Sequence, residues 1–400
     1  MRPVPRDLSI SAALWLVCCG APATPTPTPA ATPTPAAPVV PPDEPDAEAL
    51  RLAELPHRVV FADRITYSYV LLLPGEGVVA PTREELDVAV REAFPNNLED
   101  DEVVLLRGLI ARPIREFAEP GAPPEELVEG AEDLLGFTAE AHPRTPPSGP
   151  ALIEAKVLAD PDLTRELTPD ERASLAGRGT LLVLRAQYRN QHAVRGLRLL
   201  QTLVRVLATR RSALVHDPDT LETTGPAAFA AHRLQTNLGN VADQIPVVPF
   251  PDPRHTGRFR LATRGMRRFG SVDLELDALP GDLPTLQQAT FLLHGLARVM
   301  IDLGEFEAGF AAELPPTLTL HHSDCAAAYA GLPGSLPRCK DCPESLELHL
   351  AERAAEPQDA ISHVVARLVA PRPSSDQRAY DHPQWVQEAL ARVFGGPASM

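Results

Sequence analysis

The sequence has little positive charge and no long hydrophobic segment, and these two shortages exclude two classes of protein. Its apolar run Leu8–Cys19 is far shorter than the roughly 20 residues that a membrane-spanning helix needs. The formal net charge of -16 argues against binding to nucleic acid, because phosphate recognition depends on clustered Lys and Arg side chains. We therefore expect no nucleic-acid partner and no transmembrane helix in the folded part.

The sequence also lacks the short motifs that identify common classes of enzyme. It has no G-x-S-x-G nucleophile elbow, no phosphate-binding loop, no G-x-G-x-x-G fingerprint and no H-E-x-x-H zinc motif. The acidic run Glu99–Glu102 lacks the alternating ligand spacing of a calcium loop and indicates a solvated turn. These absences favour a non-catalytic protein over an enzyme.

The first 19 residues have the pattern of an export signal. Arg2 and Arg6 precede the apolar run, which has the length of a signal-peptide core. The stretch Leu16-Val17-Cys18-Cys19 resembles the bacterial lipoprotein box, in which an aliphatic residue precedes a lipidated cysteine by three positions. This resemblance implies lipidation of Cys19 and attachment to the outer membrane or cell envelope. The alternative is an ordinary signal peptide that is cleaved near Cys19.

Residues 20–56 are predicted to form a disordered linker. This segment is rich in Pro, Thr and Ala, and ten prolines lie between Pro22 and Pro45. Such a composition favours extended polyproline II conformations of about 3.1 Å per residue. A spacer of this kind is typical of a domain held at a distance from a membrane.

From about residue 57 onward, short apolar segments alternate with amphipathic ones. Their β-branched and aliphatic content predicts strands at residues 59–73, 151–159, 180–188, 212–217, 259–265, 272–279, 345–351 and 363–371. Apolar residues at spacings of three and four predict helices over residues 192–209 and 283–303. Asp381 as a start signal and Gly395-Gly396 as a stop signal predict a last helix over residues 383–394. On the first of these helices, Arg195, Arg198 and Arg205 lie opposite the apolar stripe, and we interpret them as a solvated basic face rather than an anion site.

This order of elements predicts the α+β class, with a mixed or antiparallel sheet and helices on one face. The unit from Ala151 to Asp217 is similar to a ferredoxin-like sandwich, and a second such unit is expected between Phe259 and Pro371. We divide the folded part into an N-terminal α/β segment, residues 57–150, and an α+β domain, residues 151–400. The second carries a Cys/His-containing insertion at residues 320–343.

The run TRGMRRFGSVDLEL, residues 263–276, resembles a signature of uncharacterised bacterial α+β domains. In that signature Thr-x-Gly-Met, Phe-Gly and an acidic-Leu-Glu triplet lead into a strand, and VHDPDT at residues 215–220 fits the same pattern. The resemblance implies an α+β domain of unknown function over about residues 150–395. From the residues alone, Gly265 and Gly270 predict a turn that needs positive φ, beneath which Met266 and Phe269 are buried.

The insertion at 320–343 holds every cysteine outside the leader. His322-x-x-Cys325 is followed after thirteen residues by Cys339-x-x-Cys342, and two such pairs are typical of a tetrahedral zinc site. An exported protein instead favours a disulfide among Cys325, Cys339 and Cys342, because its cysteines meet an oxidising environment. Both interpretations stay open, and both require these residues to lie close together.

Taken together, these patterns predict a lipid-anchored cell-envelope protein that binds or scaffolds an envelope protein or a small ligand. The alternative is a metal-dependent or thiol-based enzyme that uses the His/Cys segment.

Overall fold

In the computed structural model of the protein, the described residues are 64–114, 134–189, 195–234, 241–303, 317–329, 345–354, 364–371 and 380–395, with the single residues 315, 336 and 356. All of these residues belong to one compact unit. Two β-sheets and the helices around them confirm the α+β class. None of the helices in the described part of the chain combines the length and apolar character that a transmembrane segment requires.

The helices of the described residues include long amphipathic ones and several short turns. They are α1 (Arg83–Ala93), α2 (Asp101–Ala111), α3 (Ala155–Ala159), α4 (Pro169–Ser174), α5 (Arg195–Arg210), α6 (Pro226–Arg233), α7 (Val241–Gln244), α8 (Leu283–Leu303), α9 (His322–Ala327) and α10 (His382–Phe394). The predicted helices thus correspond closely to α5, α8 and α10.

The first sheet is antiparallel throughout. Its strands are β1 (Arg64–Leu73), β2 (Leu134–Pro143), β3 (Thr180–Arg189), β4 (Leu214–His216) and β5 (Thr223–Thr224). They lie in the order β2-β3-β1-β4-β5. With helices between β1 and β2 and between β3 and β4, the first four strands have the order of a ferredoxin-like unit. This unit begins at β1 rather than at Ala151, because β1 and β2 both pair with β3.

The two faces of the first sheet are both covered. Alternate residues of β1 point to opposite faces, so Tyr67, Tyr69 and Leu71 join the main core while Val70 and Leu72 join a smaller one. Helices α1, α2 and α5 contribute apolar side chains to the main core. The smaller core is closed by the long connection between β2 and β3.

The predicted strand at residues 151–159 is wrong. This stretch forms irregular structure followed by helix α3, and it lies in the connection between β2 and β3. Ile153 and Leu158 are buried against the smaller core of the first sheet. Their five-residue spacing does not distinguish a strand from a short helix. The apolar residues alone were therefore not enough to predict the type of secondary structure.

The second sheet has six strands and is mixed. Its strands are β6 (Val247–Pro251), β7 (Phe259–Thr263), β8 (Asp273–Leu279), β9 (Leu318–Leu320), β10 (Leu346–Arg353) and β11 (Val365–Val369). They lie in the order β6-β7-β8-β11-β10-β9, and β8 pairs with β11 in parallel. This sheet therefore does not repeat the antiparallel order of the first.

Helices α8 and α10 pack against β8 and against each other. Leu274 and Leu276 of β8 are buried in the main core, which also contains Leu292, Leu296 and Met300 of α8. The other side of β8 carries Asp273, Glu275 and Asp277, which are also buried. The second sheet thus has one apolar face and one charged face.

Candidate functional site

The predicted His/Cys site is described only in part. Cys325 lies on α9, is fully buried and is a free cysteine in the structure. His322 is half-buried, and its ring lies edge-to-face with the Phe394 ring at 6.0 Å between centroids. Cys339, Cys342 and the lipidation candidate Cys19 lie outside the described residues. The shared zinc or disulfide site and the lipidation of Cys19 therefore stay predictions.

The surroundings of Cys325 are those of a packed core residue. A Cβ atom at Gly295 of α8 would lie 2.6 Å from the Cys325 Sγ atom, so the glycine permits a close approach of α8 and α9. Burial raises the pKa of the Cys325 thiol to about 12. The thiolate is the nucleophilic form of cysteine, so this side chain is protonated and unreactive at neutral pH.

The two stretches of the signature resemblance come together between the sheets. Arg268 donates from Nη2 to Asp217 at 2.7 Å, and Arg267 donates from Nη2 and Nε to Asp219 at 2.6 and 3.0 Å. Gly265, with φ of 99°, and Gly270, with φ of 71°, flank the 3₁₀ turn Met266–Phe269 that presents both arginines. The predicted positive φ values and the burial of Met266 and Phe269 are confirmed.

Tyrosines of the first sheet complete this buried polar cluster. Tyr67 donates to Asp217 at 2.6 Å, and the Tyr69 hydroxyl accepts from Arg268 and from Gln201 at 3.3 and 2.9 Å. Burial raises the pKa of Tyr69 to about 12, partly offset by the nearby Arg268 guanidinium. The groups satisfy one another, and apart from Arg267 they are closed to solvent, so we interpret the cluster as a structural joint between the two sheets.

The charged face of the second sheet is organised around Glu275. This carboxylate, 0% exposed, accepts from Arg260 at 3.1 Å, from Arg353 at 2.8 and 3.0 Å, and from Arg367 at 3.1 Å. Burial raises the pKa of Glu275, and the arginines, led by Arg353, act in the opposite direction. A carboxylate enclosed by three guanidinium groups cannot also bind a cation from solution, so Glu275 has a structural role.

Asp252, His255 and Asp277 form the one group in the described residues whose ligand atoms are close enough for a shared metal ion, within 4.8 Å of one another. Asp252 already accepts from the Ala278 backbone N–H at 2.8 Å and from His255 at 2.9 Å. Asp277 forms an ion pair with Arg367 at 2.9 Å and also contacts His382. Both carboxylates are thus engaged within the protein, and we do not assign a metal to them.

Two buried histidines are also engaged within the protein. His216 contacts the Thr223 hydroxyl at 3.0 Å, and His294 lies between the Ile245 carbonyl and the Tyr329 hydroxyl. Burial lowers the pKa of each to about 4. They are therefore neutral at pH 7, and neither is exposed to a substrate.

A cleft with a volume of about 530 Å³ lies between the α1–α2 pair on one side and helices α5 and α6 on the other. Its apolar wall consists of Phe94, Val103, Leu106, Leu199, Ala230 and Leu234. Its polar side chains are Asn97, Asp100, Glu102, Arg198, Thr202 and Arg205. The lining is divided equally between apolar and polar side chains, and the volume lies within the range of small-molecule sites.

Capping residues define the starts of the two helices that form one wall of the cleft. Thr82 and Glu85 form a capping box that starts α1, and the Asp100 carboxylate accepts from the Glu102 N–H to start α2. The acidic run interpreted as a solvated turn is therefore a helix start. On α5, Arg198, Thr202 and Arg205 are four and three residues apart and share one face.

The arginines of α5 differ in their partners. Arg198 lies 3.8 Å from the Glu102 carboxylate, beyond hydrogen-bond distance. The Arg205 guanidinium stacks over the Phe94 ring at 5.6 Å, and its buried Nε atom has no hydrogen-bond acceptor in the described part of the chain. Two of the three arginines of the predicted basic face, Arg198 and Arg205, thus line the cleft. The pattern of α5 did not indicate the opposite wall.

Comparison of the chain with protein-family models, with curated proteins and with solved structures gave no match. The interpretation of the cleft therefore depends on its own geometry.

Proposed function

We propose that the protein is a lipid-anchored, non-catalytic binding protein of the cell envelope that holds a small ligand in the cleft between α1–α2 and α5–α6. The observation that carries this proposal is the cleft itself. It combines an apolar wall with an arginine whose buried Nε lacks an acceptor among the described residues. Such a combination is expected of a site whose polar partner is supplied by a ligand.

The state of the reactive side chains supports binding over catalysis. General acid–base catalysis requires a side chain that titrates near the working pH and reaches the substrate. His216 and His294 are buried with a pKa of about 4, and the Cys325 thiol is buried with a pKa of about 12. The burial of these three groups therefore favours a binding role over an enzyme that would use them.

In this proposal the leader and the linker determine where the protein is located in the cell. A lipid on Cys19 and the Pro-rich residues 20–56 would attach the domain to a membrane and hold it away from the surface. The acidic balance of the chain, -16, offers no attraction to anionic lipids, so the lipid would provide the attachment.

A fluorescent probe tests the cleft even while its natural ligand is unidentified. N-phenyl-1-naphthylamine is neutral and apolar, and its emission rises when it leaves water. We expect saturable binding to the purified protein, and loss of that binding in Ala230→Trp, because the indole would fill the cleft that Ala230 lines.

The matched control is Ala227→Trp, an exposed position on the same helix, α6. This variant should bind the probe as the unmodified protein does. Equal binding by both tryptophan variants, or no binding by the unmodified protein, would show that the cleft is not a binding site.

A further inference from the structure

We infer that the ligand of the cleft is a singly charged anionic amphiphile, a carboxylate on an apolar chain, whose head group binds Arg205. This inference rests on the proposed binding role of the cleft and names the chemical class of its ligand.

The first step is the charge balance of the cleft. The lining carries two arginines, Arg198 and Arg205, and two acids, Asp100 and Glu102. The Asp100 carboxylate caps the N-terminus of α2, where the helix dipole favours a negative charge. Glu102 lies nearest to Arg198. These four formal charges sum to zero, so the lining as a whole does not favour a multiply charged anion. Among the described residues Arg205 is the lining arginine with no carboxylate partner, and one negative group would pair with it.

The second step is the state of the Arg205 side chain. Its guanidinium contacts the Phe94 ring and lines the cleft, and the side chain is partly exposed. Its Nε–H group is closed to solvent and has no acceptor in the described residues, so a ligand would bind through the guanidinium nitrogens that face the cleft. A carboxylate is the acceptor that a guanidinium binds best, since two parallel N–H···O bonds can form. Thr202, one turn before Arg205 on the same face of α5, offers a hydroxyl donor beside it.

The third step is the wall that would receive the rest of the ligand. Val103, Leu106 and Leu199 are buried side chains that line the cleft beside the arginines. Arg198 and Arg205 are seven residues apart, about 10.5 Å along the helix axis, and Arg198 lies nearest to Glu102, so we place the head group at Arg205. One end of the ligand is therefore polar and the other lies on apolar surface.

Calorimetric titration with three probes separates the two ends of the ligand. Octanoate has the charged head and the chain, octanamide has the same chain without the charge, and acetate has the head without the chain. We expect octanoate to bind the full-length protein, octanamide to bind about tenfold or more weakly, and acetate to show no measurable binding.

Arg205→Met tests the proposed contact directly, because methionine keeps an apolar side chain against Phe94 and removes the charge. Octanoate should bind this variant about 10- to 100-fold more weakly, whereas octanamide should bind it as it binds the unmodified protein. Arg205→Lys should retain part of the affinity. The matched control Arg185→Met removes an exposed arginine of β3 and should leave both affinities unchanged.

Equal affinity of octanoate and octanamide for the unmodified protein would overturn the inference, and this comparison needs no variant to fold. Octanoate binding that is unaffected by Arg205→Met, or no octanoate binding at all, would overturn it as well. If the naphthylamine probe still binds the cleft and is lost in Ala230→Trp, the proposed function stands and only the ligand class is wrong.

Discussion

The removal of Arg268 should destabilise the fold far more than the removal of its neighbour Arg267. Arg268 is 0% exposed and forms an ion pair with Asp217 at 2.7 Å. Its Nε also donates to the Gly265 carbonyl at 3.0 Å. In Arg268→Met the carboxylate of Asp217 would stay buried without its counter-charge, and breaking a buried pair in this way costs about 3–5 kcal/mol.

Arg267→Met provides the matched control. The Arg267 side chain is 44% exposed whereas its partner Asp219 is buried, so the pair is only partly solvated and removal of the arginine should cost about 1–2 kcal/mol. Both variants lose one arginine from the same 3₁₀ turn. Their difference therefore reports the burial of the ion pair rather than the general effect of a lost charge.

The measurement is urea unfolding followed by circular dichroism, with the free energy of unfolding extrapolated to water and the m-value compared between variants. We expect Arg268→Met to be less stable than Arg267→Met by about 1–4 kcal/mol. Equal losses within about 0.5 kcal/mol, at unchanged m-value, would refute the view that the signature stretches form a buried joint between the sheets.

Two further predictions concern the helix contact at Cys325 and the leader. Gly295→Ala should destabilise the protein by about 1–3 kcal/mol, since the new Cβ would lie 2.8 Å from the Cys325 backbone. The control Gly108→Ala in α2, where no atom lies near the new Cβ, should instead stabilise the protein by up to about 1 kcal/mol. Urea unfolding measures both free energies, and equal effects would contradict the close packing of α8 and α9. Cys19→Ala should move the protein from the membrane fraction to the soluble fraction, and retention on the membrane in high salt would contradict lipid attachment.

Long periodic helices were the most predictable part of the fold. The stripe of α8 gave residues 283–303, the same bounds that the structure shows, and α10 differs by one residue at its start. The apolar face of α8 repeats over several turns, so errors at single positions cancel. The ends of α10 followed from Asp381 and Gly395, which are its N-cap and C-cap residues in the structure. The prediction of the α+β class followed from these helices and the strands between them.

Strand β2 was missed and the strand at residues 151–159 was predicted in error, for related reasons. β2 contains Gly136, Ala139 and Ala141, whose small side chains give a weak alternation of apolar and polar residues. Its place in the sheet comes from pairing with β3, and local propensity carries little information on such pairing. Non-local pairing therefore decided these two elements.

The cleft could not be predicted from the sequence because its walls are far apart along the chain. The pattern of α5 identified Arg198 and Arg205 as lying opposite the core stripe, but not what packs beside them. Phe94 and Val103 of the opposite wall are about a hundred residues earlier in the chain. The periodicity of a helix predicts which side chains point away from the core. Only the tertiary structure shows that a cleft lies on that side of α5.

The most direct test of the binding site is the nuclear magnetic resonance signal of the Arg205 Nε–H group during titration with octanoate. Assignment follows from its absence in Arg205→Met. The account predicts a saturable shift of this signal as a carboxylate binds the Arg205 guanidinium, with no shift of the exposed Arg185 signal. An unchanged Arg205 signal at octanoate concentrations that saturate the protein would contradict the account.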